Sequence, residues 1–287
     1  MPTRFLKFHG FGNDYIVIET EQLAGITNPG EFARKICDRH YGAGADGIAV
    51  VSRSDDQNAD FLVRIFNPDG SEAALSGNGT RCAAAYLYYR ELWNSQQLHL
   101  NTRSGIKRYL IRAQSDAGKY IFDSELGQPK FDSDSIPMFT EQRLQRVIDY
   151  PLTVANETFK VTALQMGNPN CCIFVEDFDA IDWRRMGRAI ENHQQFPDRT
   201  NVVFVRVEAR DKIELRIWER GVGETTASGT CSCAAAVAAM INKKTERRVN
   251  VIMPGGQAKI HWRDDGEVVI TGRAEVVYSG EWLTETG

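Results

Sequence analysis

Apolar residues in this chain fall mostly in short runs, and the spacing of those runs predicts many strands and few helices. Residues 4–19, RFLKFHGFGNDYIVIE, read as two strands around the glycine-rich turn HGFGND. Helical spacing appears over 31–40, and the loop YGAGADG at 41–47 leads into the strand IAVVS. FLVRIFN is a further strand. A helix is predicted from about Asn78 to Trp93, apolar on much of its circumference and therefore buried on most sides. The strands QLHLNT, KRYLIRAQ and GKYIFDSEL follow, and 127–150 is irregular. LTVANETFKVTALQMGNPNCCIFVED alternates through strands and a GNPN turn before an amphipathic helix over 180–194. RTNVVFVRVE and KIELRIWER are strands, Cys231 to about Asn242 is a helix, and two strand-rich segments close the chain. This order predicts an α+β fold rather than a wound α/β sheet.

One pattern occurs twice. RIFNPDGSEAALSGNGTRCAAA at 64–85 returns as RIWERGVGETTASGTCSCAAA at 216–236, and Arg64 to Ser76 keeps register with Arg216 to Ser228. Each copy reads as a strand, a turn, then Ser-Gly opening an alanine-rich helix with serine at the cap. A helix N-terminus carries unpaired N–H groups and partial positive charge, and so can hold a carboxylate or phosphate. Gly77, Gly79 and Gly229 are expected to let a ligand approach the backbone. Two such starts in register imply related halves that each place one hydroxyl at an equivalent point, with the boundary near residues 118–125. Glu72 and Glu224, four residues before the serines, are the acids nearest to them in each motif.

Composition narrows the class. The chain has 42% hydrophobic and 25% charged residues, as in a soluble globular protein. A net charge of −4 gives no electrostatic case for nucleic acid or an anionic membrane. MPTRFLKFHG lacks an apolar secretory core and no apolar run is long enough to span a bilayer, so a cytoplasmic protein is expected. The six cysteines include no CxxC pair and the histidines at 9, 40, 99, 193 and 261 are scattered, so no metal site is expected. GAGADG precedes a strand rather than a helix and is not a dinucleotide fingerprint.

KFHGFGNDY, YGAGADG, FNPDGSEA, SGNGTRCAA, MGNPNC, RTNVVF, WERGVGET, SGTCSCAA and MPGG together resemble the diaminopimelate epimerase family, in that family's order and over nearly the whole chain. The resemblance implies a cofactor-independent epimerase of two pseudo-symmetric domains, each a mostly antiparallel sheet or barrel around a central helix. It implies domains of 1–121 with 276–287 and of 122–275. The substrate is then a small amino acid, LL- or meso-diaminopimelate. No cofactor, nucleic acid or membrane is involved, and a homodimer is allowed. Asn13, Asn67, Asn168, Asn201, Glu219 and Arg220 match family positions that hold substrate. The reacting carboxylate is expected on N–H groups near Gly77, Asn78, Gly229 and Thr230.

In that family two cysteines face each other across the substrate α-carbon, one removing a proton and the other delivering one. Here both positions are serine, Ser76 and Ser228. A hydroxyl is a far weaker acid than a thiol and needs an adjacent activating group. Asn170 replaces the histidine usual in GNPH, Cys231 stands where glycine is usual, and Gly47 lies where some members carry glutamine. Three accounts follow: a true epimerase in which Ser76 and Ser228 are engineered replacements that trap a substrate complex, a natural paralogue that binds an amino acid or isomerises another amino or hydroxy acid, or transfer of acid/base duty to Cys231 or Cys82.

Overall fold

The computed structural model describes residues 2–283. It contains two compact units, one of Met1–Ser124 with Gly272–Gly287 and the other of Glu125–Thr271. In the first unit the strands are β1 (Thr3–Gly10), β2 (Asn13–Glu19), β3 (Gly47–Arg53), β4 (Phe61–Phe66), β5 (Glu72–Ala73), β6 (Gln97–Asn101), β7 (Lys107–Ser115) and β8 (Lys119–Gly127, through residue 124). Its helices are α1 (Pro29–Cys37) and α2 (Gly77–Tyr89). β1 and β2 pair antiparallel, β2 and β3 parallel, β3 and β4 antiparallel, β4 and β6 parallel, and β6 to β8 antiparallel. The far end of β17 (Val268–Trp282) lies antiparallel on β1, and Val276 N–H donates to the Gly118 carbonyl at 3.0 Å, so the strand order returns on itself.

The second unit repeats this plan. Its strands are β9 (Val147–Val154), β10 (Glu157–Gln165), β11 (Pro169–Phe174), β12 (Asn201–Ala209), β13 (Lys212–Glu219), β14 (Gly223–Thr225), β15 (Arg248–Met253), β16 (Gly256–Trp262) and the start of β17. Its helices are α3 (Trp183–Glu191) and α4 (Gly229–Ile241). β10–β11, β11–β12, β12–β13, β13–β15 and β15–β16 pair antiparallel, parallel, antiparallel, parallel and antiparallel, the same series as β1–β2 through β6–β7. The repeated sequence is therefore a repeated fold, α+β, with a barrel-like sheet around one central helix in each unit.

Alternation explains why the strands read as continuous apolar runs. In β2 and β3, Tyr15, Val17, Ala49 and Val51 pack in the cluster that surrounds α2, while Ile16, Ile18, Ile48 and Val50 pack on the other face against α1. α2 is buried from Asn78 to Leu87 and α4 from Cys231 to Met240. Close approach of the surrounding strands favours small side chains where the alanine runs lie, while Arg81, Tyr86 and Leu87 fill wider spaces around α2.

Helix ends differ slightly from the sequence pattern. Asn28 caps α1 by accepting from Gly30 and Glu31 N–H, with Pro29 at the first turn. α2 stops at Tyr89 rather than Trp93 because Glu91 takes a positive φ of 56° and the chain turns away. α3 begins at Trp183, where the Asp182 side chain accepts from Arg185 N–H. Among the described residues no helix is long and apolar enough to cross a membrane.

Gly79 serves packing rather than ligand approach. A Cβ there would lie 2.8 Å from Tyr15 Cε1 and 2.9 Å from Ile65 Cδ1, so α2 touches β2 and β4 at this point. Gly79→Ala is expected to cost about 1–3 kcal/mol through overpacking, measured by urea unfolding. Gly77→Ala, where a Cβ meets nothing within 4 Å, is the matched control. Equal stability of the two variants would refute this packing role.

Candidate functional site

Both serines occupy the N-cap of their helix with extended backbone, Ser76 before α2 and Ser228 before α4. The first turns match closely. Thr80 Oγ1 donates to the Ser76 carbonyl at 2.7 Å, and Ser232 Oγ donates to the Ser228 carbonyl at 2.6 Å. The side chains of the caps differ. Ser76 Oγ accepts from Gly79 N–H at 3.0 Å, whereas the Ser228 side chain makes no capping bond. Burial pushes the Glu219 carboxyl above the usual range, and the Ser228 hydroxyl offsets part of that rise.

In the first unit a directed chain of side chains runs from α2 to the turn after α1. Buried Arg81 donates to Asn78 Oδ1 and, at 3.1 Å, to the Arg273 carbonyl. Asn78 Nδ2 donates to Asn13 Oδ1 at 3.0 Å, and Asn13 Nδ2 donates to Asp46 Oδ2 at 2.8 Å. A cation at one end and a carboxylate at the other fix the orientation of both amides. Arg39 grips Asp46 at 2.7 Å and Asp14 at 2.9 Å, and Lys7 reaches Asp14 at 2.7 Å. Burial would raise the Asp14 carboxyl, but Arg39 and Lys7 outweigh it and hold it down at about 2. Asn67 stands apart from this chain, with Nδ2 donating to Ser71 Oγ at 3.0 Å in the turn after β4.

The second unit builds a comparable chain. Arg220 N–H donates to Asn201 Oδ1 at 2.9 Å, Asn201 Nδ2 to Asn170 Oδ1 at 3.3 Å, and Asn170 Nδ2 to Asn168 Oδ1 at 3.0 Å. Asn170 is fully buried and acts as the link between Asn168 and Asn201. A Cβ on Gly167 would lie 3.7 Å from Thr230, which puts the turn carrying Asn168 beside the first turn of α4. The Arg220 guanidinium donates to the Asp198 carbonyl at 3.0 Å, and its side chain is exposed. Thus Asn168, Asn201, Glu219, Arg220, Ser228, Gly229 and Thr230 fall into one neighbourhood, and Asn13, Asn78, Ser76 and Gly77 into another.

Several sequence expectations change. Glu72 pairs with Arg64 at 2.9 Å and Glu224 with Arg184 at 2.6 Å, so both acids are occupied by arginines. Cys82 and Cys231 are fully buried, and burial drives the Cys82 thiol up to about 12 and the Cys231 thiol well above its ordinary value. Burial of both thiols argues against the third account. Gly47 is buried, and a Cβ there would lie 2.7 Å from the Tyr15 ring, so this packing has no room for a longer residue. Asp46, Arg81 and Glu191 were missed as supporting residues. Arg81 left one signal, a lone charge inside an alanine-rich helix.

Solved structures of the same fold include a hydroxyproline epimerase from Agrobacterium vitis, 15% identical with a TM-score of 0.67, covering 97% of this chain and 92% of that one. A phenazine biosynthesis protein of the PhzF family from Bacillus anthracis, 17% identical, matches with a TM-score of 0.66 over 99% of this chain and 100% of its own. At that identity they define the fold class alone. The family model for diaminopimelate epimerase matches residues 5–131 and 162–277. The diaminopimelate epimerase of Pelotomaculum thermopropionicum is 41% identical over 98% of this chain and 99% of its own length, and that of Synechocystis sp. is 36% identical over 98% and 99%. The chain belongs to the diaminopimelate epimerase family.

The raised Glu219 carboxyl has a consequence for stability. Above the ordinary glutamate value of about 4.3, keeping Glu219 ionised costs folding free energy, and the cost disappears as pH falls below that value. Glu219→Gln is therefore expected to raise Tm at pH 7 and to leave Tm near parent at pH 4. A lower Tm at pH 7 by calorimetry would contradict this assignment.

Proposed function

We propose that this chain is a cofactor-independent amino-acid epimerase acting on LL- and meso-diaminopimelate, with Ser76 and Ser228 at the two proton-transfer positions. The observation that carries the reading is the paired serine N-caps within a member of this family that matches its relatives over nearly their whole length. Epimerisation removes the α-proton from one face, leaves the electron pair delocalised into the adjacent carboxylate, and returns a proton to the other face. N–H groups at Gly77, Asn78, Gly229 and Thr230 are suited to that carboxylate. Glu219 suits a substrate ammonium group, and Arg220 suits the second carboxylate of a diacid. Asn13, Asn67, Asn168 and Asn201 supply amide contacts, their directions set by the bonds each already makes.

The two hydroxyls are not equivalent proton carriers. Ser76 Oγ caps its helix by accepting from Gly79 N–H, while the Ser228 side chain makes no capping bond and the Glu219 carboxyl lies within its electrostatic reach. Turnover is therefore expected to be weak, with solvent exchange of the α-proton faster on the Ser228 face. The weak acidity of both hydroxyls also supports a second reading, a paralogue that binds the amino acid without turnover. Tight binding by calorimetry with no deuterium incorporation from D2O would favour it.

Changing Ser76→Cys and Ser228→Cys together is expected to raise epimerisation by orders of magnitude, because a thiol near pKa 8.5 is a far better proton carrier. An unchanged rate in the folded double variant would sink the assignment. Arg220→Ala is expected to weaken diaminopimelate binding by about tenfold or more. Undiminished affinity would exclude a carboxylate partner for Arg220.

A further inference from the structure

Glu191 ends α3, outside both repeated motifs, and is 5% exposed. Its carboxylate accepts from three donors. Trp218 Nε1 donates to Oε2 at 2.8 Å, Gly221 N–H to Oε1 at 2.7 Å, and Arg199 to Oε1 at 3.3 Å. One turn earlier on α3, a Cβ at Gly187 would come within 2.9 Å of Trp218 Cβ and Cγ, so that glycine lets the side chain of Trp218 lie on the helix. Gly221 has a φ of 77°, a turn that its bond to Glu191 helps to hold. α3 thus holds the chain at residue 218 and again at residue 221, on either side of Glu219 and Arg220.

We propose that Glu191 is a positioning residue for ligand recognition, a two-point clamp that sets where the Glu219 and Arg220 charges are presented. This rests on the reading of Glu219 and Arg220 as ligand contacts. Groups ordered before binding lose less entropy when the ligand arrives, so the clamp should act on affinity. The site needs an acceptor on both oxygens. A glutamine would place its NH2 against Trp218 Nε1 in one orientation, or against Gly221 N–H and Arg199 in the other.

The test is the Kd of meso-diaminopimelate by calorimetry on the full chain, with hydrogen exchange followed by mass spectrometry over residues 216–223. Glu191→Gln is expected to bind at least about tenfold more weakly, with faster exchange confined to residues 218–221. Glu191→Asp keeps the charge but withdraws it by one methylene, and is expected to change both readouts in the same direction. Parent-like affinity in either folded variant overturns the proposal, as does faster exchange spread through β13 and α4. If Arg220→Ala weakens binding while Glu191→Gln does not, the clamp alone is refuted. If neither variant weakens binding, the reading of Arg220 as a ligand contact falls as well.

Discussion

A helix without a polar face is stable in water only when something surrounds it, and in each unit of this protein that requirement sets the rest. α2 and α4 are buried through most of their length, and the strands around them must turn one apolar face inward along every position. Along the alanine runs the strands approach closely, and at Gly79 they leave no room for any side chain. Such close packing leaves few ways for the helix to rotate or slide. The position of each N-terminal serine follows from the packing of residues well beyond it.

A second layer of order comes from side-chain amides arranged in one direction. Arg81 at one end and Asp46 at the other leave Asn78 and Asn13 only one orientation each that satisfies both neighbours. In the second unit Asn170 does the same for Asn168 and Asn201, and the backbone of Arg220 begins the series. Asn170 makes this link with a side chain that carries no titrating proton.

The repeat was legible because small residues, glycines and serines at fixed spacing are needed to start a helix inside a ring of strands, and that need leaves a literal pattern. The helices were legible for the same reason, apart from ends such as Glu91, where a left-handed residue has no strong composition signal. Gly79 misled because a glycine beside a helix start serves ligand approach and close packing equally well. Glu72 and Glu224 misled because nearness in sequence says nothing about which arginine a carboxylate will meet. Glu191 had no local signature, since its three partners lie 8 to 30 residues further along the chain.

By itself the sequence determined the α+β class, the twofold repetition and the paired Ser-Gly helix starts. These are local or periodic properties, written in spacing and residue type. Only the tertiary structure decided that the Ser76 side chain caps its helix while that of Ser228 does not, that Cys82 and Cys231 are fully buried, and that α3 holds the chain on either side of Glu219 and Arg220. Each depends on burial and on hydrogen bonds between distant residues, which a chain acquires only when its strands close around the helix.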